Sequence, residues 1–244
     1  MKRLVFIFAC TVFTVSSVKY CHARTDAALE QDIAKKISDD RMYKSLSERS
    51  ALGFDIPADT GQLIIISTES FGQNAGRARL FEWTKRGAWR KASEFPCYIG
   101  ENGFSEDALL EGRRNTPIGL FGLGTAFGTG EDPGAGIPYR QSVPGDVWED
   151  DPESDYYNTW QQASDAPGKW RSAENMHIPA YALGFVIGYN TSERIPYAGS
   201  AFFFHIYEKP TYGCVGVTHG DALHTLRWLD AGKNPGILMG PIGR

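Results

Sequence analysis

From residue 62 onward the chain is broken into short β-branched and aromatic runs, each closed by glycine or another turn residue, and this pattern restricts it to a sheet-rich fold. Residues 62–67 read Gln-Leu-Ile-Ile-Ile-Ser, and 79–83 read Arg-Leu-Phe-Glu-Trp. A Lys85-Arg86-Gly87 turn leads into 88–91, and 95–99 forms another run that ends at Gly100. Such spacing predicts an antiparallel meander. Further strands are expected within 180–189, 200–206 and 213–217, and a last one over 235–239. Residues 221–230 carry Leu223, Leu226 and Leu229 at helical spacing, with Thr218 as the expected N-cap and Asp221 three residues on. With 13% aromatic residues, 27 Gly and 13 Pro, the composition favours a mostly β fold with a few short helices over a helical bundle. Residues 121–165, rich in Gly, Pro, Asp and Trp, read as a long loop, a feature uncommon unless functional.

The first residues read as an address. Lys2 and Arg3 precede an apolar run of about twelve residues over 4–15, the size of a signal-peptide core and short for a bilayer span. Cleavage is expected after Ala23, which sends the rest of the chain to the periplasm or cell-wall space. The segment 1–23 contains Lys2, Arg3 and Lys19 and no acid, so its loss takes the net charge from −4 to about −7. That balance gives no basic footprint for nucleic acid, and no later stretch is apolar enough to span a membrane as a helix. Residues 24–60 are expected to form a helical lead-in or a linker. Residues 61–244 are expected to form one catalytic domain.

Of four cysteines, Cys10 and Cys21 leave with the signal, so only Cys97 and Cys214 remain. In an oxidising compartment two cysteines default to one disulfide, and a wall-binding protein without catalysis is the corresponding reading. Cys214 has features that point elsewhere. It follows Gly213 at the end of a tight turn, where successive N–H groups of Gly213 and Cys214 are suited to an oxyanion. His205 ends the run Phe202-Phe203-Phe204, where an imidazole is out of place without a partner. Strand, turn and strand are expected to bring His205 and Cys214 to adjacent strands within hydrogen-bonding reach, raising the thiolate fraction. His219 is the second choice of base, and His177 and His224 read as surface or capping residues. No paired cysteine or histidine spacing suggests a metal, and no Gly-x-Ser-x-Gly suggests a serine triad, so neither metal nor cofactor is expected. The acidic stretch Asp132, Glu149, Asp150, Asp151 and Glu153 reads as a solvated loop.

Phe204-His205 followed by Thr211-Tyr212-Gly213-Cys214-Val215 resembles the signature of the L,D-transpeptidase (YkuD-type) catalytic domain. Residues 111–119, Glu-Gly-Arg-Arg-Asn-Thr-Pro-Ile-Gly, resemble that family's EGDxxTPxG stretch. Trp148 to Asp151, Tyr157-Asn158, Tyr189-Asn190 and Gly199-Ser200-Ala201 are similar to a periplasmic subgroup. The similarity runs over about 62–240. It implies a β sandwich or open barrel and a peptidoglycan-modifying cysteine enzyme acting on stem peptides. In that chemistry Cys214 is the nucleophile and His205 the acid–base group, and the product is a cross-link or, with water, a trimmed stem. Thr211, Tyr212, Arg114, Tyr189 and Trp148 are the expected substrate residues. Trp148, Trp160 and Tyr157 would form a lid or else a satellite cluster that anchors the loop. Two positions depart from the family pattern: His205 and Cys214 are nine residues apart, roughly half the usual separation, and Gly216 stands where many members carry Arg or Asn.

Overall fold

The computed structural model describes residues 50–105, 109–165 and 168–242. The signal segment and most of the lead-in lie outside these. The described end of the lead-in is a two-stranded ribbon of β1 (Ser50–Ala51) and β2 (Phe54–Asp55). The expected meander follows. It consists of β3 (Gln62–Thr68), β4 (Ala75–Trp83) and β5 (Trp89–Tyr98), joined antiparallel. The two runs expected over 88–99 are one continuous strand.

These strands belong to a nine-stranded sheet completed by six others. They are β6 (Gly119–Gly128), β7 (Tyr139–Gln141), β11 (Leu183–Ile187), β12 (Phe203–Ile206), β13 (Val215–Val217) and β14 (Gly236–Pro241). β6 pairs with β14 through its first half and with β11 through its second, so the sheet closes on itself instead of staying open. Closure removes the exposed edges that an open sheet of this length would carry. β14 runs parallel to β3, and every residue of both strands is buried, as expected of strands packed on two faces.

The long loop expected over 121–165 is a correction. Its start is β6, and it also contributes β7, β8 (Asp146–Glu149) and β9 (Thr159–Gln162); β8 pairs with β9 and with β10 (Ala173–Asn175) in a separate three-stranded sheet. Runs of three or four residues among glycines and prolines carry too little periodicity to stand out in sequence. The helix α1 (His219–Trp228) starts on Thr218, whose side chain accepts from the Asp221 N–H, and places Ala222 and Leu226 in the main core.

The pleat of β12 sorts the phenylalanine run. Phe202 and Phe204 enter the main core with Ile64, Ile66, Val215, Ile237 and Met239. Phe203 faces a second cluster with Phe127, Trp148, Met176, Tyr181 and Cys214. His205, two residues beyond Phe203, meets the Tyr181 ring edge-on at 4.9 Å on that same side.

Candidate active site

Cys214 is held by a turn that two threonines lock. The Thr211 hydroxyl accepts from the Gly213 N–H (3.1 Å) and donates to the Cys214 carbonyl (2.7 Å). The Thr116 hydroxyl donates to the Gly213 carbonyl (2.7 Å) and accepts from the Gly100 N–H (2.9 Å). Between them Gly213 adopts φ +143°, and a Cβ there would lie 2.6 Å from the Phe202 ring and 3.0 Å from the Asn115 carbonyl oxygen. The position therefore demands glycine.

The thiol accepts from the Phe203 N–H (3.3 Å) and donates to the Ala201 carbonyl (3.2 Å). Ala201 aims that carbonyl from a left-handed backbone (φ 57°), a conformation costly for a residue with a side chain. Asn158 holds it there. Its Oδ1 accepts from the Ala201 N–H (3.1 Å) and the Trp148 indole (2.9 Å), while its amide donates to the carbonyls of Tyr189 and Asn190. The scattered motifs 148–151, 157–158, 189–190 and 199–201 thus converge on one scaffold beside the thiol.

His205 and Cys214 stand on the same face of adjacent strands, but β12 and β13 are parallel, with His205 opposite Gly216. The two groups make no hydrogen bond to each other: the imidazole Nδ1 instead lies 3.1 Å from the Ala180 carbonyl and 3.2 Å from that of Ile206. Both partners can only accept, so Nδ1 carries the proton and Nε2 is left as the basic nitrogen. Ala180 sits in a 3-10 turn, Pro179–Tyr181, and the same turn supplies the ring that packs on the imidazole. Burial pushes the His205 pKa down to about 4, against the pull of the two carbonyls. Burial also pushes the Cys214 thiol up, with the Glu174 carboxylate adding to it. The resting pair is neutral thiol and neutral imidazole; the expected rise in thiolate fraction is absent.

Cys214 lies at the wall of a cleft of about 310 Å³, whose other polar walls include Glu111, Arg114, Asp150, Glu174 and Tyr212. Of the expected substrate residues, Arg114 and Tyr212 line this cleft, with the guanidinium 4.2 Å above the Tyr212 ring and paired to Glu101 at 2.7 Å. Thr211, Tyr189 and Trp148 do not. Thr211 is buried with its hydroxyl engaged inside the turn, and the Tyr189 hydroxyl donates to the Ala198 carbonyl. Trp148 packs against Phe203 in the second cluster, so the aromatic residues of this region anchor the fold and form no lid. His219 is exposed at the start of α1 and His224 is exposed on it; neither lines the cleft.

The acidic stretch is a solvated loop only in part: Asp132 and Glu153 are exposed, but others are not. Glu149 and Asp151 are buried, and Arg171 grips Asp151 through its guanidinium (2.8 Å) and backbone N–H (2.8 Å), holding that carboxyl well below the usual range. Glu174 and Tyr181, which gave no signal in sequence, stand beside Cys214. The Tyr181 hydroxyl donates to the Glu174 carboxylate, and burial lifts the Glu174 pKa to about 6. Cys97 and Cys214 are both free, and Cys97 is in the main core while Cys214 is in the second cluster, so the disulfide expected for a wall-binding protein does not form.

A ring-like β sheet that sets a glycine-cysteine turn beside a histidine strand has the architecture of an L,D-transpeptidase catalytic domain. The family model described as YkuD, the L,D-transpeptidase catalytic domain, matches residues 64–238, and the chain belongs to that family. Among solved structures, the helical cell shape determining protein Pgp2 from Campylobacter jejuni is similar at 15% identity, over 74% of this chain and 48% of that one, with a TM-score of 0.40. A point mutant of the same protein is similar at 15% identity, over 75% and 48%, with a TM-score of 0.41. The chain thus spans about half the length of these structures. No curated protein matches it.

Proposed function

We propose that the chain is a cysteine acyl-transfer enzyme of the periplasm or cell-wall space that modifies peptidoglycan stem peptides. The observation that carries this reading is a thiol at the wall of an open cleft and, on the same face of the adjacent strand, an imidazole whose basic nitrogen is fixed by the bond of the other to the Ala180 carbonyl. As Sγ attacks the carbonyl of the bond before a D-amino acid, the thiol proton passes to His205 Nε2. The Cys214 N–H faces the developing oxyanion, and the Gly213 N–H joins it by exchanging its bond to Thr211. The imidazolium then gives its proton to the departing amine and a thioester remains. An acceptor amine, or water, gives up its proton to His205 and attacks the thioester, regenerating the thiol. Transfer and hydrolysis therefore compete for one intermediate, and product masses with and without an acceptor amine separate them.

Incubation with muropeptides followed by intact-mass measurement tests the proposal. A covalent adduct on Cys214, lost in Cys214→Ala, is the expected result. Turnover that survives in purified Cys214→Ala would overturn it.

A further inference from the structure

Glu174 is a half-buried carboxylate that shares a cleft with the nucleophile, and the acyl-transfer steps above make no use of it. Its strand β10 carries it into the cleft that Cys214 lines, and its only hydrogen bond among those described is from the Tyr181 hydroxyl. Tyr181 also packs edge-on against Phe203 (5.4 Å) and His205 (4.9 Å), so this one ring ties the carboxylate to the imidazole. The thiol lies within electrostatic reach of both Glu174 and Tyr181. A like charge at this position works against formation of a thiolate.

The surroundings leave that charge uncompensated. Asp150 lines the same cleft and keeps Oδ1 out of solvent with no hydrogen-bond partner among the described residues. Glu111, a third carboxylate of the cleft, is held by the hydroxyls of Tyr157 and Ser200. None of the three forms a salt bridge among the described residues. The cations of the cleft are Arg113 and Arg114; Arg114 is already paired with Glu101, and His205 is neutral. Three carboxylates without ion pairs thus share the cleft with two guanidiniums, one of which is already paired to Glu101.

We propose that Glu174 is a specificity-determining residue that receives an ammonium group of the acyl donor, and that this docking releases the thiol by neutralising the carboxylate beside it. The inference rests on the acyl-transfer reading and adds to it the residue that receives the donor's amine and a substrate-dependent control of the nucleophile. Docking itself makes and breaks no covalent bond: the ammonium keeps its protons, and the thiol proton still passes to His205. An unoccupied cleft keeps a protonated, unreactive cysteine. A donor without the cation would bind beside a thiol that stays poorly ionised.

Two peptides test this, identical D-alanine-terminated stems in which the side-chain amine of the preceding residue is either free or acetylated. Thioester formation by the wild-type protein should be at least about threefold faster with the free amine, the net effect of a one-unit fall in thiol pKa on thiolate abundance and nucleophilicity. Glu174→Gln should bring the two rates to within about twofold. The same variant should react with uncharged iodoacetamide about threefold faster than wild type at pH 7, since a less basic thiolate is more abundant but a weaker nucleophile. Equal wild-type rates with both donors would overturn the proposal, and this comparison needs no variant to fold. If neither donor forms a thioester, the acyl-transfer reading fails separately. Iodoacetamide then decides whether Glu174 restrains the thiol, and a folded Glu174→Gln protein labelled no faster than wild type would overturn that link.

Discussion

The two faces of β12 and β13 are built from opposite materials. On one face Phe204 and Val215 meet Ile64, Ile66, Ile237 and Met239 in a cluster of aliphatic and aromatic side chains. On the other, Phe203 and Cys214 meet Trp148, Tyr181 and Phe127, with His205 and Glu174 close by. Aliphatic packing gives the first face its stability through area removed from water. The second face trades some of that for buried polar groups, each of which needs a partner. Aromatic side chains suit it, because Tyr181 offers a flat ring to His205 and a hydroxyl to Glu174. The lesson is a division of labour across a single layer of backbone.

Damage to the two faces should separate. Cys214→Ala should remove all thioester formation while leaving the melting temperature within a few degrees of wild type, as read by intact mass and thermal unfolding. Ile64→Ala, on the opposite face, should cost about 2–5 kcal/mol of stability, the usual range for such a truncation in a tight core. Its rate per folded molecule should be unchanged. A large loss of specific activity in folded Ile64→Ala would break the comparison.

Acid sharpens it further. His205 is buried neutral with a pKa of about 4, whereas unfolded it titrates near the ordinary value of 6.5. Below about pH 6.5 the unfolded chain takes up a proton that the folded one refuses, until the folded group titrates near 4. The stability from this group is thus present above 6.5 and lost as pH falls through that window, by on the order of 3 kcal/mol. Glu149 and Glu174 have the opposite sign. Their folded pKa values of about 6 exceed the ordinary glutamate value of 4.5, so their contribution is full below about 4.5 and lost as pH rises through 6. Replacing His205 with Gln should therefore leave a protein whose stability falls less, or rises, between pH 6.5 and 4. A melting-temperature profile that fell as steeply in the variant would assign the acid sensitivity elsewhere.

The first face was largely legible in the sequence, the second only in part. The run at 62–67 announces a buried strand because β-branched residues follow one another without a break. The Phe202-Phe203-Phe204-His205 run and the Gly213-Cys214 pair announce the site because each breaks its local pattern. What pattern does not carry is pairing between distant residues. The grip of Arg171 on Asp151, twenty residues away, makes a buried carboxylate of what reads as a solvated acid. Glu174 reaches the thiol only through the fold of β10 against β8, and Asn158 earns its place only because Ala201 needs its backbone held.

Gly216 shows the same limit and gives the smallest effect. It lies opposite His205, and a Cβ there would come within 2.4 Å of the Tyr207 carbonyl oxygen. Tyr207 holds that position because the chain leaves β12 while still paired, its N–H donating to the Val217 carbonyl (2.9 Å). With only nine residues from His205 to Cys214, the connection stays close to the sheet and its backbone lies over residue 216. On this geometry the nine-residue connection and the glycine at 216 should depend on each other. Gly216→Ala should cost about 1–3 kcal/mol, the range for overpacking a tight site. Thermal unfolding measures that loss, and iodoacetamide labelling of Cys214 reports whether the displaced Tyr207 carbonyl also disturbs the active face. Lengthening the 207–212 segment by a few residues in the Gly216→Ala background should restore stability, because a longer connection can lift Tyr207 clear. A variant that stays destabilised would show that the clash belongs to β12 itself and not to the length of the turn.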